Sequence, residues 1–315
     1  MKILITGGTG SLGKRLIQTL LDTYPPERLV VFSRDEWKQH EMRREFKHPC
    51  MRYFIGDVRD RNRLYRAFDG IDIVIHAAAM KQVPTAEYNP FEAIKTNILG
   101  AQNVIDAAID CKVKKIVALS SDKAVNPINL YGATKLCSDK LFVAANHYSG
   151  KHNTRFSVVR YGNVVGSRGS VIPLFKTQAV RGTLSITDKR MTRFWITLDK
   201  AADFVLECLG RMNGGEIFIP KIPSMRIRDL AYAVCPDCKL EEVGIRPGEK
   251  LHEVMIPADE AIYARIFSDH YIIYPHWEEL DSLPGYPCPD RFIYSSNNNI
   301  EWLSVPFLRS LLEDD

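Results

Sequence analysis

Four side chains that can exchange protons occur close together in the middle of the chain: Asp122, Lys123, Tyr131 and Lys135. Tyr131 and Lys135 are four positions apart, so they share one face if this segment is helical. Asp122 and Lys123 follow an apolar, strand-like run. One phenol, one carboxyl group and two amines could therefore surround one small molecule. Each pair alone is also typical of a surface or loop ion pair, so the interpretation depends on the rest of the chain.

A glycine-rich turn stands near the start of the chain. Gly7, Gly10 and Gly13 form a Gly-x-x-Gly-x-x-Gly pattern between a strand-like segment, residues 2–6, and a helix-like segment, residues 12–21. Such glycines permit a tight turn and a close approach of the backbone to a pyrophosphate, which the helix N-terminus also attracts. A merely flexible turn is the competing interpretation, but the strand–turn–helix context favours a dinucleotide. We therefore interpret the proton-exchanging residues as a redox active site.

The end of the second predicted strand distinguishes NADP from NAD. An NAD enzyme usually places an acidic residue there, which binds the ribose hydroxyls. Here Ser33 and Arg34 occupy the strand end, where they can hydrogen bond and ion-pair with a 2′-phosphate. Asp35 and Glu36 are expected to point toward the next turn. We predict NADP; the alternative is that Arg34 is a solvated residue at a helix start.

The composition is that of an ordinary globular protein. Of the 315 residues, 45% are hydrophobic and 25% are charged, and the net charge is +4. No basic block suggests a nucleic-acid partner. No signal-peptide pattern opens the chain, and no apolar run approaches the ~18 residues that span a bilayer. We expect a cytoplasmic protein that binds neither nucleic acid nor membrane.

The seven cysteines are scattered along the chain. An odd number without a leader segment predicts reduced thiols. Cys235 and Cys238 have the spacing of half a zinc site or of a redox pair, but only the isolated Cys288 follows them. We interpret the pair as incidental thiols near a helix end. The histidines lack metal-ligand spacing, so we predict no metal site.

Strand-like and helix-like segments alternate over the first half of the chain. Strands are predicted at residues 2–6, 29–33, 52–55, 71–76, 115–119 and 156–160. Helices are predicted at residues 12–21, 36–46, 61–68, 91–109 and 131–148. Short strands rich in Ile and Val that alternate with amphipathic helices predict an α/β fold with a Rossmann-type, doubly wound parallel sheet.

The pattern changes near residue 165, where prolines become frequent and the segments irregular. We predict a dinucleotide-binding domain over residues 1–165. A helix at 198–211 and a strand at 216–219 are expected to bring residues 194–220 back to that domain. Residues 166–315 are predicted to form mainly a smaller, discontinuous, substrate-binding lid domain.

Further motifs reinforce the glycine pattern: Asp57, Val58, Asn97 and the Tyr-x-x-x-Lys spacing. Together they resemble the extended short-chain dehydrogenase/reductase family. Residues 81–92 and 121–135 closely resemble one subgroup, the inverting UDP-N-acetylglucosamine 4,6-dehydratases. The similarity extends through residues 191–197 and 246–250 and covers most of the chain up to about residue 260. Retaining dehydratases typically have Asp-Glu at the position of Asp122-Lys123, and simple 4-epimerases lack that pair.

This resemblance implies a lyase that begins pseudaminic acid biosynthesis. Related capsule-sugar enzymes that epimerise further carbons often lack the tyrosine that corresponds to Tyr131, which this chain keeps. Two alternatives stay open. One is a dehydratase/epimerase of an L-fucosamine-type capsule pathway, and the other is a non-catalytic regulator that senses NADP. By resemblance we also expect a homo-oligomer, a dimer or hexamer, with the helices at residues 91–109 and 131–148 as contact faces.

The proton-exchanging residues suggest a mechanism for such a dehydration. Lys135 and the nicotinamide charge are expected to lower the pKa of Tyr131, which takes the proton of the sugar 4-hydroxyl while hydride passes from C4 to NADP⁺. Lys123, made neutral by desolvation and by Lys135, removes the C5 proton. Asp122 protonates the departing 6-hydroxyl, for which it needs a raised pKa. Hydride returns to C6, C5 is reprotonated on the opposite face, and the cofactor stays bound.

The strand ends and the resemblance together predict the binding residues. Those expected at the cofactor are Gly7, Thr9, Gly10, Ser11, Leu12, Gly13, Ser33, Arg34, Asp57, Val58, Ala77, Ala78, Ala79, Lys81, Asn97, Tyr131, Lys135, Val164, Val165, Gly166, Ser167 and Arg168. Those expected at the substrate are Lys81, Leu119, Ser120, Asn163, Val171, Thr187, Arg193, Arg246 and Glu249. Asp57 is expected to accept from the adenine amino group, and Asn97 to order a water or the backbone beside the cofactor. By composition alone, the three alanines fit a helix start equally well, and the two arginines fit surface ion pairs.

Overall fold

The computed structural model describes residues 1–166, 171–279 and 282–313. It contains every strand predicted over the first half: β1 (Lys2–Thr6), β2 (Arg28–Ser33), β3 (Met51–Ile55), β4 (Ile73–His76), β5 (Lys115–Ser121) and β6 (Arg155–Tyr161). The later strands are β7 (Asn163–Val164), β8 (Thr183–Ile186), β9 (Thr192–Ile196), β10 (Ile217–Pro220), β11 (Ser224–Arg226), β12 (Lys239–Glu242), β13 (Val254–Ile256), β14 (Ala264–Ile266), β15 (His270–Ile273), β16 (Tyr286–Pro287) and β17 (Tyr294–Ser295).

The helices alternate with these strands. They are α1 (Ser11–Thr23), α2 (Glu36–Glu45), α3 (Arg61–Phe68), α4 (Val83–Tyr88), α5 (Pro90–Ile94), α6 (Gly100–Asp110), α7 (Leu130–Tyr148), α8 (Val171–Ala179), α9 (Leu198–Arg211), α10 (Ile227–Val234), α11 (Ala258–Ala261) and α12 (Val305–Glu313). Polar side chains set several starting points. Asp35, Asp60 and Asn129 each accept a hydrogen bond from the third backbone N–H that follows, at the first turns of α2, α3 and α7.

The central sheet confirms the predicted fold class. Its described strands run in the order β16-β14-β15-β10-β6-β5-β4-β1-β2-β3, and every pairing from β10 to β3 is parallel. The strand order reverses between β1 and β4, which is where a doubly wound fold binds a dinucleotide. Helices cover both faces, so neighbouring strand residues enter different cores: Leu4 packs into one, and Ile3 and Ile5 into the other.

One edge of this sheet was not predicted. Strands β14, β15 and β16 continue it beyond β10 as antiparallel neighbours, although residues 264–287 fall in the half of the chain assigned mainly to the lid. These strands are only two to four residues long, which is too short for hydrophobic alternation to mark them. The division at residue 165 stays a prediction, but the second half evidently contributes to both parts.

The lid has a small core of its own. Helices α8, α10 and α12 pack with β8 around side chains such as Phe175, Leu184, Leu230 and Leu308. Three small sheets accompany them: β11-β9-β7, β12-β8 and β13-β17. The lid therefore has enough buried apolar surface to hold a defined shape beside the central sheet.

The helix predicted at residues 91–109 is interrupted. A π-helical turn, Lys95–Leu99, separates α5 from α6. Gly100, the residue after this turn, lies close to the loop that precedes α3. A Cβ on Gly100 would be 2.8 Å from the Val58 side chain. The wider turn directs Asn97 into the protein, a role of π turns at functional sites that the 3.6-residue pattern cannot predict.

The prediction of seven reduced thiols was wrong for one pair. Cys235 ends α10, and the turn through Pro236 and Asp237 brings it to Cys238, with the two Cα atoms 5.4 Å apart and a disulfide between them. That separation lies in the usual range for bridged cysteines. Compartment and cysteine count alone did not reveal this local geometry. Among the described residues, no helix is both long enough and apolar enough to cross a bilayer.

Candidate active site

A cleft of about 910 Å³ lies between the carboxyl ends of the parallel strands and the lid. The glycine-rich turn, the ends of β2, β4, β5 and β6, the start of α7 and the lid segments all contribute to its walls. Clefts at the switch point of such sheets are the usual ligand sites of this architecture. The cleft is the natural place to look for the predicted residues.

The glycine turn fits a dinucleotide. Gly7 has φ +67°, and a Cβ on it would lie 2.9 Å from the backbone of Ala78 at the end of β4. A Cβ on Gly13 would lie 2.6 Å from the Gly8 backbone. Gly10 precedes α1 and caps it without a side-chain hydrogen bond. The backbone thus forms a cradle without side chains, and the N–H groups of the first helical turn open into the cleft, as a pyrophosphate requires.

The end of β2 presents two polar side chains to the cleft. The Gln39 amide donates to the Ser33 carbonyl oxygen and to Ser33 Oγ, both at 3.0 Å, and it is buried. Because Ser33 Oγ accepts from Gln39, its own proton is free to point elsewhere. Arg34 is largely exposed and lies 3.7 Å from the Asp57 carboxylate. Asp35 caps α2 and pairs with Lys38, so it does point toward the next turn.

Asp57 and Asn97 stand at the part of the cleft where the cofactor is expected, and they do so in different ways. Asp57 lines it, and Arg59 binds the carboxylate through its backbone N–H and its guanidinium. Burial opposes ionisation of Asp57, but the Arg59 contacts win and lower its pKa. Asn97 lies behind the wall: its amide accepts from Met80 N at 2.8 Å and donates to Met80 O and Thr134 Oγ1, both at 2.9 Å. Asn97 thereby holds the loop that follows Ala77–Ala79 in place.

Tyr131 and Lys135 line the cleft from the first turns of α7. Lys135 Nζ donates to the Leu119 carbonyl oxygen at 2.7 Å and is almost fully buried. Burial lowers the pKa of Lys135, against the attraction of Asp139. Burial raises the pKa of Tyr131 to about 12, and the nearby charge of Lys123 is the main opposing effect. Lys123, rather than Lys135, is thus the cation that acts most strongly on the phenol without a cofactor, and the expected effect of Lys135 together with the nicotinamide charge stays a prediction.

Asp122 and Lys123 form a close ion pair in a short 3₁₀ turn, Asp122–Ala124. Lys123 Nζ donates to Asp122 Oδ1 at 2.9 Å. Lys123 lines the cleft, whereas Asp122 is fully buried behind it, and within the described residues its Oδ2 accepts no hydrogen bond. Burial alone would lower the pKa of Lys123, but Asp122 and Glu253 outweigh burial and raise it. The expected neutral Lys123 was thus wrong, because a second carboxylate faces it.

The lid brings its predicted residues to the same cleft. Arg193 on β9 lies 3.4 Å from Glu249 and donates to the Thr192 carbonyl oxygen at 2.7 Å. Glu249 N donates to the Arg246 carbonyl oxygen, so these two residues share one tight turn. Asn129, the cap of α7, donates to the Gly248 carbonyl oxygen at 2.7 Å. The turn that carries Arg246 and Glu249 is therefore tied to the start of α7.

Most predicted residues meet in one place. The cleft is lined by Gly7, Thr9, Gly10, Ser11, Leu12, Gly13, Ser33, Arg34, Asp57, Val58, Ala77, Ala78, Ala79, Lys81, Leu119, Ser120, Lys123, Tyr131, Lys135, Asn163, Val164, Val165, Val171, Thr187, Arg193, Arg246 and Glu249. Asp122 and Asn97 lie behind this wall. Gly166 directly follows the lining residue Val165 in the chain, in a turn at φ +68°. Ser167 and Arg168 lie outside the described residues. The roles assigned to all of them stay predictions.

The structure also adds residues that sequence reasoning missed. Lys38, Tyr161 and Trp195 line the cleft, and Glu253 lies directly behind it. Tyr161 ends β6 beside Tyr131, and burial raises its pKa. Lys38 follows Ser33 by little more than one helical turn, so a search of the first turn of α2 would have found it. Glu253 carries no motif. Among the described residues, no three His, Cys, Asp or Glu side chains cluster as metal ligands.

Comparisons with known proteins agree with this geometry. Residues 3–275 match the family described as polysaccharide biosynthesis protein. The UDP-N-acetylglucosamine 4,6-dehydratase (inverting) of Campylobacter jejuni is 57% identical over 98% of this chain and 96% of its own length. The X-ray structure of Pen from Bacillus thuringiensis has a TM-score of 0.91 and 40% identity, and covers 99% of this chain and 97% of that one.

A more distant solved structure shares the fold alone. It is the dTDP-glucose 4,6-dehydratase DesIV of Streptomyces venezuelae, crystallised with NAD and TYD, with a TM-score of 0.72 and 24% identity over 80% of this chain and 87% of that one. The family match covers far more than half of the chain, and the Campylobacter relative spans nearly all of it. These findings confirm the resemblance predicted from the motifs: the chain belongs to the polysaccharide biosynthesis protein family.

Proposed function

We propose that this protein is an inverting UDP-N-acetylglucosamine 4,6-dehydratase. The product would be UDP-2-acetamido-2,6-dideoxy-β-L-arabino-hex-4-ulose, in which C5 is inverted. One observation carries the proposal: an Asp122–Lys123 ion pair, rather than Asp-Glu, stands at the wall of the cleft that Tyr131 and the glycine turn also line, with Lys123 in the wall and Asp122 buried behind it. The Campylobacter jejuni relative, whose name states this activity, supports it over nearly the whole chain.

We infer that the cofactor is NADP. Ser33 and Arg34 support the choice, because a hydroxyl whose oxygen already accepts from Gln39 donates readily to a phosphate, and an exposed guanidinium pairs with it. Lys38 lines the same region and adds a second cation. The DesIV structure was crystallised with NAD, so the dinucleotide class is common to the fold whereas the 2′-phosphate is specific to this proposal.

The bound dinucleotide would supply a reversible hydride acceptor. The chain's own residues move the protons. Tyr131 is placed to take the proton of the sugar 4-hydroxyl, although its pKa of about 12 must first fall. The ammonium groups of Lys123 and Lys135, which both line the cleft, would favour a phenolate. A ketone formed at C4 acidifies the C5 hydrogen, which a neutral amine can then remove.

The Asp122–Lys123 contact can generate both catalysts at once. A proton that passes from Lys123 Nζ to Asp122 Oδ1, 2.9 Å away, leaves a neutral amine and a protonated carboxyl group. The amine is the base that C5 needs, and the carboxyl group is the acid that the departing 6-hydroxyl needs. The proton removed from C5 restores the ammonium group, and the acid proton leaves with water. The proton that C5 then receives from the other face, which inverts that centre, would come from Tyr131, which by then holds the proton of the 4-hydroxyl.

Several finer assignments belong to the same proposal. The reaction makes the protein a hydro-lyase at the start of pseudaminic acid biosynthesis, in the cytoplasm. A homo-oligomer, a dimer or hexamer, is supported by large apolar side chains exposed on the predicted contact helices, such as Phe91, Leu99 and Tyr148. Arg193 and Arg246 in the cleft are suited to the nucleotide diphosphate because each guanidinium is a planar fork of donors.

The deciding experiment is incubation of the purified protein with UDP-N-acetylglucosamine and no added cofactor. The proposal predicts a 4-keto-6-deoxy product with inverted C5, detected by NMR, and NADP released on denaturation. A product also changed at C3 would favour the L-fucosamine-type alternative, and nucleotide binding without any turnover would favour the regulator. A Lys123→Ala variant that dehydrates at the full rate would overturn the assignment of Lys123 as the base.

A further inference from the structure

Glu253 is a buried carboxylate that faces the proton-exchanging residues from the lid. Its side chain is 3% exposed. Oε1 lies 3.6 Å from Lys123 Nζ and 3.9 Å from Arg193 Nε, and Oε2 lies 3.7 Å from Lys250 Nζ. A buried anion needs compensating charge, and here three cations share that role.

The backbone holds this carboxylate in place. Glu253 N donates to Ser296 Oγ at 3.0 Å, and Ser296 N donates to the Glu253 carbonyl oxygen at 2.8 Å. Strand β13 begins at the next residue and packs against the 3₁₀ turn that carries Lys123. Lys250 Nζ donates to the Val125 carbonyl oxygen just after that turn. The segment around Glu253 and the catalytic turn are thus joined by backbone as well as by charge.

Lys123 therefore contacts two carboxylates from separate parts of the chain. Asp122 accepts its hydrogen bond within the turn, and Glu253 stands across from it at ion-pair distance. The longer contact is a charge interaction rather than a hydrogen bond. When Lys123 gives its proton to Asp122, the negative charge of Glu253 still favours the protonated form of Lys123. Glu253 therefore favours return of the proton to Lys123, and it keeps the Lys123 Nζ atom in one position.

We propose that Glu253 is a positioning residue for the reaction: as a second carboxylate, supplied by the lid, it holds the Lys123 ammonium group at the wall of the cleft. This inference rests on the proposed function of Lys123 and extends it to a residue outside every sequence motif. Glu253 need not touch the substrate, because it acts through Lys123.

The charges around Lys123 support this role. Asp122 faces it from its own turn, Glu253 and the Lys250 ammonium group from the segment before β13, Arg193 from β9 and Tyr131 from α7. The two carboxylates outweigh burial and Arg193, and they raise the pKa of Lys123. Replacing Glu253 by the neutral, similarly shaped Gln should lower that pKa and increase the fraction of neutral amine at any pH below it.

The test is site-resolved acylation of lysines in the whole protein at pH 8, read by mass spectrometry, with Lys81 in the same cleft as the internal standard. We expect Glu253→Gln to accelerate labelling of Lys123 relative to Lys81 about tenfold, the change that one pKa unit produces. The matched control is Glu249→Gln, which removes a lid carboxylate that pairs with Arg193 but leaves the Glu253–Lys123 contact intact. Labelling of Lys123 should not change in that control.

A folded Glu253→Gln protein that labels Lys123 at the wild-type rate would overturn the proposal, as would equal acceleration in both variants. If the Gln variant does not fold, Glu253→Asp gives the answer, since loss of one methylene lengthens the 3.6 Å contact and should produce an intermediate acceleration. No acceleration in that folded variant also overturns it. The kcat–pH profile should shift to lower pH with Gln and in the same direction, by a smaller amount, with Asp. Labelling needs no substrate, so a wild-type protein that fails to dehydrate would contradict the proposed function without affecting this result.

Discussion

Replacing Gly7 by Ala measures how closely the glycine turn must approach β4. Gly7 and Gly70 both have φ +67°, so alanine is strained equally at the two positions. A Cβ on Gly7 would lie 2.9 Å from the Ala78 Cα and N atoms, whereas a Cβ on Gly70 would have no described atom within 4 Å. The pair of variants therefore separates the conformational effect from the contact effect.

The magnitudes follow from these two terms. A positive φ costs alanine about 1 kcal/mol relative to glycine, and this should be the whole effect of Gly70→Ala. Gly7→Ala adds overpacking against backbone, about 1–3 kcal/mol, so its total should be about 2–4 kcal/mol. Because relief of the clash moves the turn away from β4, we also expect about tenfold weaker dinucleotide binding, which corresponds to about 1.4 kcal/mol of binding free energy and lowers the amount of dinucleotide that copurifies.

The assay is urea unfolding of both variants without added nucleotide, together with the amount of dinucleotide released per protomer after purification. Gly70→Ala should purify with the wild-type amount. Equal losses of unfolding free energy in the two variants, with equal dinucleotide content, would refute the argument that the backbone of Ala78 limits this turn.

Three further predictions concern other parts of the site. Asn97→Ala removes both hydrogen bonds to the Met80 backbone, so the free energy of unfolding in urea should fall by about 2–4 kcal/mol. A loss under about 0.5 kcal/mol would mean that the loop around Met80 does not depend on Asn97. Arg34→Ala should weaken NADP binding about tenfold in calorimetric titration and leave NAD binding unchanged, and equal weakening of both would remove Arg34 from phosphate recognition. Burial lowers the pKa of His76 from 6.5 to about 3, so the unfolded chain takes up this proton before the folded protein does as the pH falls. The wild type should therefore lose about 1.4 kcal/mol of unfolding free energy per pH unit from pH 6.5 toward 3, whereas His76→Gln should not. Equal changes of unfolding free energy in the two proteins between pH 7, 6 and 5 would contradict this.

The sequence predicted the dinucleotide half of the protein closely because its signals are local. Strands β1 to β6 alternate with helices whose caps, such as Asp35 and Asn129, stand next to the elements that they begin. The glycine turn and the carboxyl ends of the strands then meet at one edge of a parallel sheet by topology alone. Residues such as Ser33, Asp57 and Ala78 could therefore be placed in one cleft without coordinates.

The antiparallel edge and the disulfide could not be predicted in this way. Strands β14 to β16 are too short to show a period, and their partner β10 is distant in the chain. The π-helical turn at Asn97 depends on the Met80 loop and on Thr134, which contact it from other elements. In the sheet edge and the π-helical turn, the deciding interactions join segments that are far apart in the chain. The disulfide is local, but the spacing of its cysteines does not distinguish a bond from two free thiols.

The amino-acid sequence by itself predicted which chemical groups could serve catalysis and the sheet that gathers them, since the candidates Asp122, Lys123, Tyr131 and Lys135 follow from motif spacing and strand ends. The tertiary structure decided their surroundings. Asp122 and Glu253 together raise the pKa of Lys123 against the effect of burial, and burial raises the pKa of Tyr131 to about 12. The physical reason is that a pKa depends on burial and on charges in space, and both are set by contacts between residues far apart in the chain.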